Sequence, residues 1–255
     1  MMKVASVDEL FSVRDKVVVV TGGGRGLGEM IARGFVERQA KVYIVGRSAE
    51  TLTATADRLG ERGNCTAVPA DLSTTGGMDE VAEALSAEPA VHVLVNNAGA
   101  NVRGEVDTYP ESAFDELFAI NVKPVFGLVQ RLLPKLREAA SPADPARIVN
   151  IGSVVGLKPS GRGFAYSTTK AAVHTLTRHL ALALGPESIT VNAIAPGPFE
   201  TEMTSGRMAE MLGRLSLTRP GADLDLIGAA VFLASRAGAF VHGSVLPVDG
   251  GLAIA

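Results

Sequence analysis

Short apolar runs alternate with longer amphipathic segments along the whole chain. The apolar runs are four to six residues long and rich in β-branched side chains, and helix-length segments separate them. Buried strands of this kind, when crossover helices join them, form a parallel sheet covered on both faces. We therefore predict an α/β fold built on a doubly wound parallel sheet. The runs are KVVVVTGG, AKVYIVGR, CTAVPAD, VHVLVNNAG, ARIVNIGS, ITVNAIAPG and SVLPVDGG.

The segment after the first run shows the helical period clearly. Leu27, Met30, Ile31 and Phe35 are spaced mostly by three and four positions, which places them on one face of a helix. The composition is 47% apolar and 20% charged with 28 glycines, which is typical of a globular protein with many tight turns. The composition favours one globular unit, so we predict a single domain spanning 1–255, and no fixed-period repeat is visible.

The charge pattern argues against nucleic-acid and membrane partners. Lys and Arg number 24 against 27 Asp and Glu, which gives a net charge of −3 without a dense basic run. No segment reaches the ~18 continuous apolar residues of a membrane span, and charges interrupt the first residues. We therefore expect a cytoplasmic protein. One cysteine, Cys65, and four dispersed histidines predict neither an internal disulfide nor a metal site.

A glycine-rich turn, TGGGRGLG from Thr21 to Gly28, joins the first strand to the first long helix. Glycine allows positive φ and a close approach of the backbone to a ligand, and a helix N-terminus offers free N–H groups to a pyrophosphate. The glycine spacing is G-x-x-x-G-x-G rather than G-x-G-x-x-G. A tight turn without a ligand is the alternative, and the flanking strand and helix make it the weaker one.

Two arginines indicate which dinucleotide the turn accepts. The second strand run ends with Gly46 at the position where an NAD site carries an acidic residue, and Arg47 follows it. Arg25 lies within the glycine turn. Two cations can hold a 2′-phosphate by charge-assisted hydrogen bonds. We therefore predict NADP(H) as the cofactor rather than NAD(H), with simple surface solvation as the alternative for either arginine alone.

Tyr166 and Lys170, in the segment YSTTK, are four positions apart on a predicted helix, and Ser153 lies 13 residues before the tyrosine. Side chains at i and i+4 share a helix face, so the phenol and the ammonium can border one crevice. An adjacent cation stabilises phenolate, and we expect it to lower the pKa of Tyr166. Such an acid could protonate the alkoxide formed when a ketone is reduced. A packed ring beside a solvated amine is the alternative.

Five features in order identify a family resemblance. They are the turn Thr21–Gly28, the motif NNAG at Asn96–Gly99, Ser153, YSTTK at Tyr166–Lys170 and the pair Pro196 and Gly197. Together they resemble the short-chain dehydrogenase/reductase family, and the likeness covers essentially the whole chain. The resemblance implies a Rossmann fold of about seven strands and an NADP-dependent oxidoreductase.

The resemblance also implies a role for each matching residue. Tyr166 would be the general acid/base, Lys170 would assist it and hold the nicotinamide ribose, and Ser153 would bind the substrate oxygen. Asn121 would support a water-linked proton path, with a buried amide that satisfies local backbone as the alternative. Cofactor contacts are implied for Thr21, Gly22, Gly24, Arg25, Gly26, Leu27, Gly28, Arg47, Asp71, Leu72, Asn97, Ala98, Gly99, Tyr166, Lys170, Pro196, Gly197, Phe199 and Thr201.

The substrate is less well defined by the sequence. Runs such as PARIVNIGSV and CTAVPADLS are similar to bacterial 3-oxoacyl-[acyl-carrier-protein] reductases, including the branch associated with rhamnolipid precursors. This resemblance implies reduction of a 3-oxoacyl thioester to a 3-hydroxyacyl thioester. A sugar, polyol, steroid or other small carbonyl remains an alternative substrate, and a non-catalytic NADPH sensor is the alternative of another class. A serine hydrolase is disfavoured because Ser153 lacks the G-x-S-x-G context.

Two further expectations concern the lid and the assembly. The segment 198–219 follows a strand end and carries Gly and Pro near both ends, so we predict a substrate lid there. The connection 138–146, with its two prolines, is expected to be a surface loop. The resemblance implies a homotetramer, or alternatively a dimer, paired through long helices at roughly 112–137 and 166–184.

Overall fold

The fold is a parallel sheet with helices on both faces, as the alternation of apolar runs predicts. The computed structural model describes residues 6–159, 161–206 and 208–255. Within these ranges seven parallel strands form one sheet in the order β3-β2-β1-β4-β5-β6-β7. The strands are β1 Val17–Thr21, β2 Lys41–Gly46, β3 Asn64–Pro69, β4 Val93–Asn96, β5 Ala146–Ile151, β6 Ile189–Pro196 and β7 Val245–Val248.

Two hydrophobic cores cover the two faces of the sheet. The helices are α1 Val7–Leu10, α2 Gly26–Glu37, α3 Ala49–Gly60, α4 Thr75–Ala84, α5 Ser112–Asn121, α6 Lys123–Ala139, α7 Phe164–Leu184, α8 Met208–Leu212 and α9 Asp223–Ala234. Along β1 the side chains alternate, so that Val18 and Val20 pack with α2, α3 and α9, whereas Val17 and Val19 pack with α4, α6 and α7. No helix in the described ranges has the length and apolar character needed to span a membrane.

The strand order reverses beside β1, which pairs with β2 on one side and with β4 on the other. In an open parallel sheet such a reversal opens a crevice outside the carboxyl ends of the strands. The turns that follow β1, β4, β5 and β6 all begin at this edge. The fold therefore brings the glycine turn, the NNAG motif, the Ser153 turn and the Pro196–Gly197 pair together.

The glycine turn packs tightly against the start of α2. Gly22 and Gly26 have φ values of 64° and 56°, a conformation that favours glycine. A Cβ added to Gly28 would lie 2.1 Å from the carbonyl oxygen of Gly22. The glycines at these positions therefore allow the helix to begin directly against the turn.

The predicted helix over 112–137 is divided into two helices. α5 ends at Asn121 and α6 begins at Lys123, with Val122 between them. Pro124 occupies the first turn of α6, where its missing N–H is tolerated, but it could not continue α5 because it cannot donate a helical hydrogen bond. The expected loop 138–146 corresponds to the connection between Ala139 and Ala146.

The predicted lid segment is held at both of its ends. Phe199, near its start, forms a parallel bridge to Gly221, and Phe199 is buried. Between these residues the described chain forms a short 3-10 turn at Glu202–Thr204 and the helix α8. The segment therefore arises beside the carboxyl end of β6 and returns to the start of α9.

Candidate active site

A cavity of about 1310 Å³ lies at the carboxyl ends of the strands. The turns after β1, β4, β5 and β6, the start of α7 and the lid segment form its walls. It brings together most of the residues selected from the sequence. Those that line it are Gly22, Gly24, Arg25, Gly26, Leu27, Gly28, Arg47, Leu72, Asn97, Ala98, Gly99, Ser153, Tyr166, Lys170, Pro196, Gly197, Phe199 and Thr201.

Thr21, which is buried, and Asp71, which is partly exposed, do not line the cavity. The Thr21 hydroxyl accepts hydrogen bonds from the backbone N–H groups of Asn97 and Ala98, at 2.8 and 2.9 Å. Asp71 Oδ1 accepts from the backbone and the hydroxyl of Ser73, at 3.0 and 2.7 Å. These Ser73 bonds, together with the charge of Arg47, lower the pKa of Asp71. Both side chains fix the walls of the cavity by holding its loops.

Asn97 connects two of these loops. Its amide nitrogen donates to the carbonyl oxygens of Thr21 and Gly22, at 2.8 and 3.2 Å. The NNAG motif therefore holds the entrance of the glycine turn in place. Together with the two backbone N–H groups that donate to the Thr21 hydroxyl, the NNAG motif donates four hydrogen bonds to the end of β1 and the turn after it.

Asn121 also lies outside the cavity lining, in a buried position at the end of α5. Its Oδ1 accepts from the backbone N–H of Ala100 at 2.8 Å. Its Nδ2 donates at 3.0 Å to both the Ala100 carbonyl and the Thr169 hydroxyl. The side chain thus joins the chain after the NNAG motif to α7, one residue before Lys170. This geometry matches the alternative of a buried amide that satisfies local backbone.

Tyr166, Lys170 and Ser153 converge on the cavity from two elements. Tyr166 and Lys170 occupy the first two turns of α7, and the Lys170 Nζ lies 5.7 Å from the centre of the Tyr166 ring. The same Nζ donates to the Ile151 carbonyl at the end of β5, at 2.8 Å. Ser153 caps the turn that follows β5, and its side chain hydrogen-bonds to that of Tyr166.

The pKa of Tyr166 shifts in the opposite direction from the one expected from the sequence. Burial raises the pKa of Tyr166 above its ordinary value, and the hydrogen bond with Ser153 offsets only part of the rise. The expected lowering by Lys170 is not found, because its ammonium lies over the ring and donates to Ile151. Burial lowers the pKa of Lys170 itself to about 8. At pH 7 roughly 90% of Lys170 is therefore cationic, and Tyr166 is protonated.

His174, one turn beyond Lys170, is a buried packing residue. Its ring fills the space beside Gly152, where an added Cβ would lie 2.1 Å from His174 Nε2. Burial, followed by the charges of Lys170 and Arg178, lowers the pKa of His174 to about 4. The imidazole is therefore neutral at pH 7 and supports the turn that carries Ser153.

The two arginines selected for a 2′-phosphate differ in their surroundings. Arg25 forms an ion pair with Glu202 of the lid segment, with 2.9 Å between Arg25 Nη1 and Glu202 Oε2. In the part of the chain that the structure describes, Arg47 has no acidic side chain within ion-pairing distance. Arg47 thus lines the cavity without a direct ion pair, and Asp71 interacts with its charge only at longer range.

The sequence reading missed a second set of lining residues. Ser48 could have been found, because it follows Arg47 and caps α3, with its hydroxyl accepting from the Thr51 N–H at 3.3 Å. The others enter through loop packing that has no local sequence signal. They include Thr51, Leu52, Asn101, Arg103, Val155 and Lys158, whereas Met203, Met211 and Arg214 belong to the predicted lid segment.

The cavity has the features that a dinucleotide phosphate requires. The first N–H groups of α2 have no partner within the helix, and the residues that carry them, Gly26, Leu27 and Gly28, line the cavity. Arg25 precedes them as the N-cap, without a side-chain cap of its own. Arg47 adds a second cation. A helix N-terminus flanked by two guanidinium groups fits a pyrophosphate and one further phosphate.

Comparison with known proteins establishes the family. A model of the short chain dehydrogenase family matches residues 16–211. The chain belongs to this family and is an oxidoreductase, which confirms the resemblance carried by the five motifs.

Two relatives and one solved structure match nearly the whole chain. The rhamnolipids biosynthesis 3-oxoacyl-[acyl-carrier-protein] reductase of Pseudomonas aeruginosa is 42% identical over 94% of this chain and 97% of its own. Gluconate 5-dehydrogenase of Gluconobacter oxydans is 34% identical over 96% of this chain and 98% of its own. The solved structure of the Pseudomonas aeruginosa RhlG/NADP active-site complex matches with a TM-score of 0.93 at 41% identity, covering 96% of this chain and 99% of that one.

Proposed function

We propose that the protein reduces a ketone to a secondary alcohol, reversibly and with NADP(H), and that its substrate is a 3-oxoacyl thioester. The observation that carries the reaction class is the convergence of Ser153, Tyr166 and Lys170 on the same cavity as Arg25 and Arg47. The presence of an acid and of phosphate-binding cations in one cavity supports the proposal of a reductase that uses a phosphorylated dinucleotide. The similarity to a structure described as an NADP complex supports the same cofactor.

The cofactor site follows from the residues around the glycine turn. The N-terminus of α2 binds the pyrophosphate, and Arg25 and Arg47 bind the 2′-phosphate. Leu72 and Ala98 border the adenine end, and Pro196, Gly197, Phe199 and Thr201 border the nicotinamide end. Thr21, Asp71 and Asn97 contribute by holding these walls in position. When bound, NADPH supplies the hydride that reduces the carbonyl carbon.

Ser153 and Tyr166 act on the carbonyl oxygen of the substrate. Both hydroxyls donate hydrogen bonds to it, and Tyr166 transfers its proton as negative charge develops there. Because burial raises the pKa of Tyr166, the phenol is fully protonated at neutral pH and ready to act as an acid. The cationic Lys170 then stabilises the phenolate that remains.

Asn121 contributes as a positioning residue in this proposal. Its hydrogen bonds to Ala100 and Thr169 hold the NNAG loop against the helix that carries the acid and the lysine. A displacement of that loop by about 1 Å would alter the distance between the acid and the substrate, to which rates are sensitive.

The choice of substrate rests on the similarity to a named relative and on the apolar lining of the cavity near the lid segment. The relative named as a 3-oxoacyl-[acyl-carrier-protein] reductase is 42% identical. Apolar side chains of the lid segment 198–219 line the cavity, among them Met203 and Met211, and Val155 adds another from the turn after β5. Such a lining suits an acyl chain. A second candidate is a sugar acid, favoured by the relative named as a gluconate 5-dehydrogenase and by the lining cations Lys158 and Arg214.

Steady-state kinetics with NADPH can separate these functions. A 3-oxoacyl thioester, a 5-keto sugar acid and a simple ketone would be compared by kcat/KM. We expect the thioester to give the highest value. A higher value for the sugar acid would overturn the thioester assignment, and tight NADPH binding without turnover of any substrate would favour the sensor.

The proposal includes a homotetrameric assembly in the cytoplasm, with a dimer as the alternative assembly. Several large apolar side chains on α5, α6 and α7 are exposed in the single chain, among them Phe114, Phe126 and Leu182, the last of which is 80% exposed. Such a surface suits helix pairing between subunits. Light scattering should give about four times the chain mass, and a monomer at micromolar concentration would contradict the proposal.

A further inference from the structure

The ion pair between Arg25 and Glu202 joins two parts of the site that are 177 positions apart. Arg25 is the N-cap of α2, in the glycine turn. Glu202 begins the 3-10 turn Glu202–Thr204 in the lid segment. Their side chains are 74% and 81% exposed, so the pair lies at the mouth of the cavity where a ligand can reach the guanidinium.

Short-range hydrogen bonds fix the shape of the turn that carries Glu202. The Thr204 hydroxyl donates to the Phe199 carbonyl at 2.6 Å and accepts from the Thr201 N–H at 3.0 Å. The turn lies close to the glycine turn, because a Cβ added to Gly26 would be 3.6 Å from the Thr201 Cγ2. The backbone bonds thus present Glu202 to Arg25, and the ion pair joins the two turns.

Two neighbouring cations are also paired with carboxylates, but neither is assigned to the 2′-phosphate. Arg33 pairs with Asp223 at the start of α9, and Arg58 pairs with Glu29 in α2. Of the two arginines assigned to the 2′-phosphate, only Arg25 is paired within the described residues. A phosphate dianion that approached Arg25 would meet the Glu202 carboxylate on the same guanidinium, and two anions there repel each other.

We propose that Glu202 is a cofactor-selectivity residue, because its carboxylate and the 2′-phosphate of NADPH are alternative partners of Arg25. The inference rests on the proposed NADP(H) site. Glu202 weakens the binding of the phosphorylated dinucleotide and leaves NADH unaffected, since NADH has no group that requires Arg25. It also links the lid to the cofactor, because the 2′-phosphate releases the lid turn from the glycine turn.

The test measures dissociation constants for NADPH and NADH by fluorescence titration of the full chain. Glu202→Gln keeps the shape of the side chain and removes its charge, and we expect about three- to fivefold tighter NADPH binding, the size of a good exposed ion pair. The NADH constant should change by less than about 1.5-fold on the same grounds. In an Arg25→Gln background the effect of Glu202→Gln on NADPH should disappear.

Glu200→Gln provides a matched control. It removes the same charge from the same wall of the cavity, two positions away, but outside the ion pair with Arg25. An equal gain in NADPH affinity for both glutamine variants would overturn the specific role of Glu202. The absence of a gain for Glu202→Gln would also overturn it, as would a gain that persists in the Arg25→Gln background. Failure of the wild-type protein to prefer NADPH over NADH would instead contradict the proposed cofactor.

Amide hydrogen exchange gives an independent readout of the link to the lid. NADP⁺ should increase exchange in the peptide that contains Glu202–Thr204, relative to the same peptide with NAD⁺ at equal saturation. In Glu202→Gln the two cofactors should give equal exchange. Equal exchange already in the wild-type protein would overturn the coupling.

Discussion

Replacing Lys170 with Met should make the folded protein more stable while it removes activity. The Lys170 side chain is buried, with 4% of the residue exposed, and the pKa falls from 10.5 in the unfolded chain to about 8 in the folded protein. Keeping the ammonium charged at neutral pH therefore costs the folded state about 3 kcal/mol. The variant loses the hydrogen bond to Ile151 and the contact with the Tyr166 ring, which together contribute about 1 to 2 kcal/mol.

The net expectation is a gain of about 1 to 2 kcal/mol in the free energy of unfolding at pH 7, or roughly 4 °C in Tm. The sign of the pH dependence follows from proton binding. Between about pH 8 and pH 10.5 the unfolded wild-type chain binds more protons at Lys170 than the folded protein does, so wild-type stability rises through this window. The advantage of the variant should therefore be largest below pH 8 and should shrink towards pH 10.5.

Urea denaturation of both proteins at pH 7 and pH 9.5 measures this difference. A Lys170→Met protein that is less stable than the wild type at pH 7 would refute the reasoning, because it would mean that the buried ammonium is a net stabilising group. An advantage that stays constant with pH would show that the gain has a different cause.

Two further substitutions test other parts of the site. Arg47→Asp should lower kcat/KM with NADPH by at least about tenfold and shift preference towards NADH, because it removes charge-assisted bonds and adds repulsion. Steady-state kinetics with both cofactors measure the ratio of the two kcat/KM values, and an unchanged ratio would contradict the assignment of Arg47 to the 2′-phosphate. Gly152→Ala should destabilise the fold by about 1 to 3 kcal/mol in thermal denaturation, because the added Cβ would lie 2.1 Å from His174 Nε2. Gly60→Ala, with no atom within 4 Å of the added Cβ, is the matched control, and an equal loss in both variants would refute the packing argument.

The sequence predicts the sheet and the phosphate-binding turn because their signals are local. Each strand is a short apolar run, and the turn Thr21–Gly28 combines a strand, glycines and a helix start in consecutive residues. The confirmed strand positions and the family membership both follow from such patterns. The catalytic pair is also local, because Tyr166 and Lys170 belong to one helix.

The features that the sequence does not predict depend on distant contacts. The ion pair between Arg25 and Glu202 exists only because the lid segment returns to the glycine turn. The positions of Thr21 and Asn121 behind the cavity wall depend on hydrogen bonds to loops 76 and 21 positions away. The direction of the Tyr166 pKa shift follows from burial, which a four-residue spacing cannot reveal.

Tyr166→Phe tests whether the Tyr166 phenol donates the proton to the substrate oxygen. We expect kcat for ketone reduction to fall by about 10² to 10⁴ while the dissociation constant for NADPH changes by no more than about twofold. Tyr109→Phe removes a hydroxyl that donates to the Val102 carbonyl at 3.1 Å and accepts from the Ala165 N–H at 3.3 Å. It loosens the start of α7 without removing the proposed acid, and it should keep most of the activity. A Tyr166→Phe protein that retains more than about a tenth of the wild-type kcat would show that another group supplies the proton.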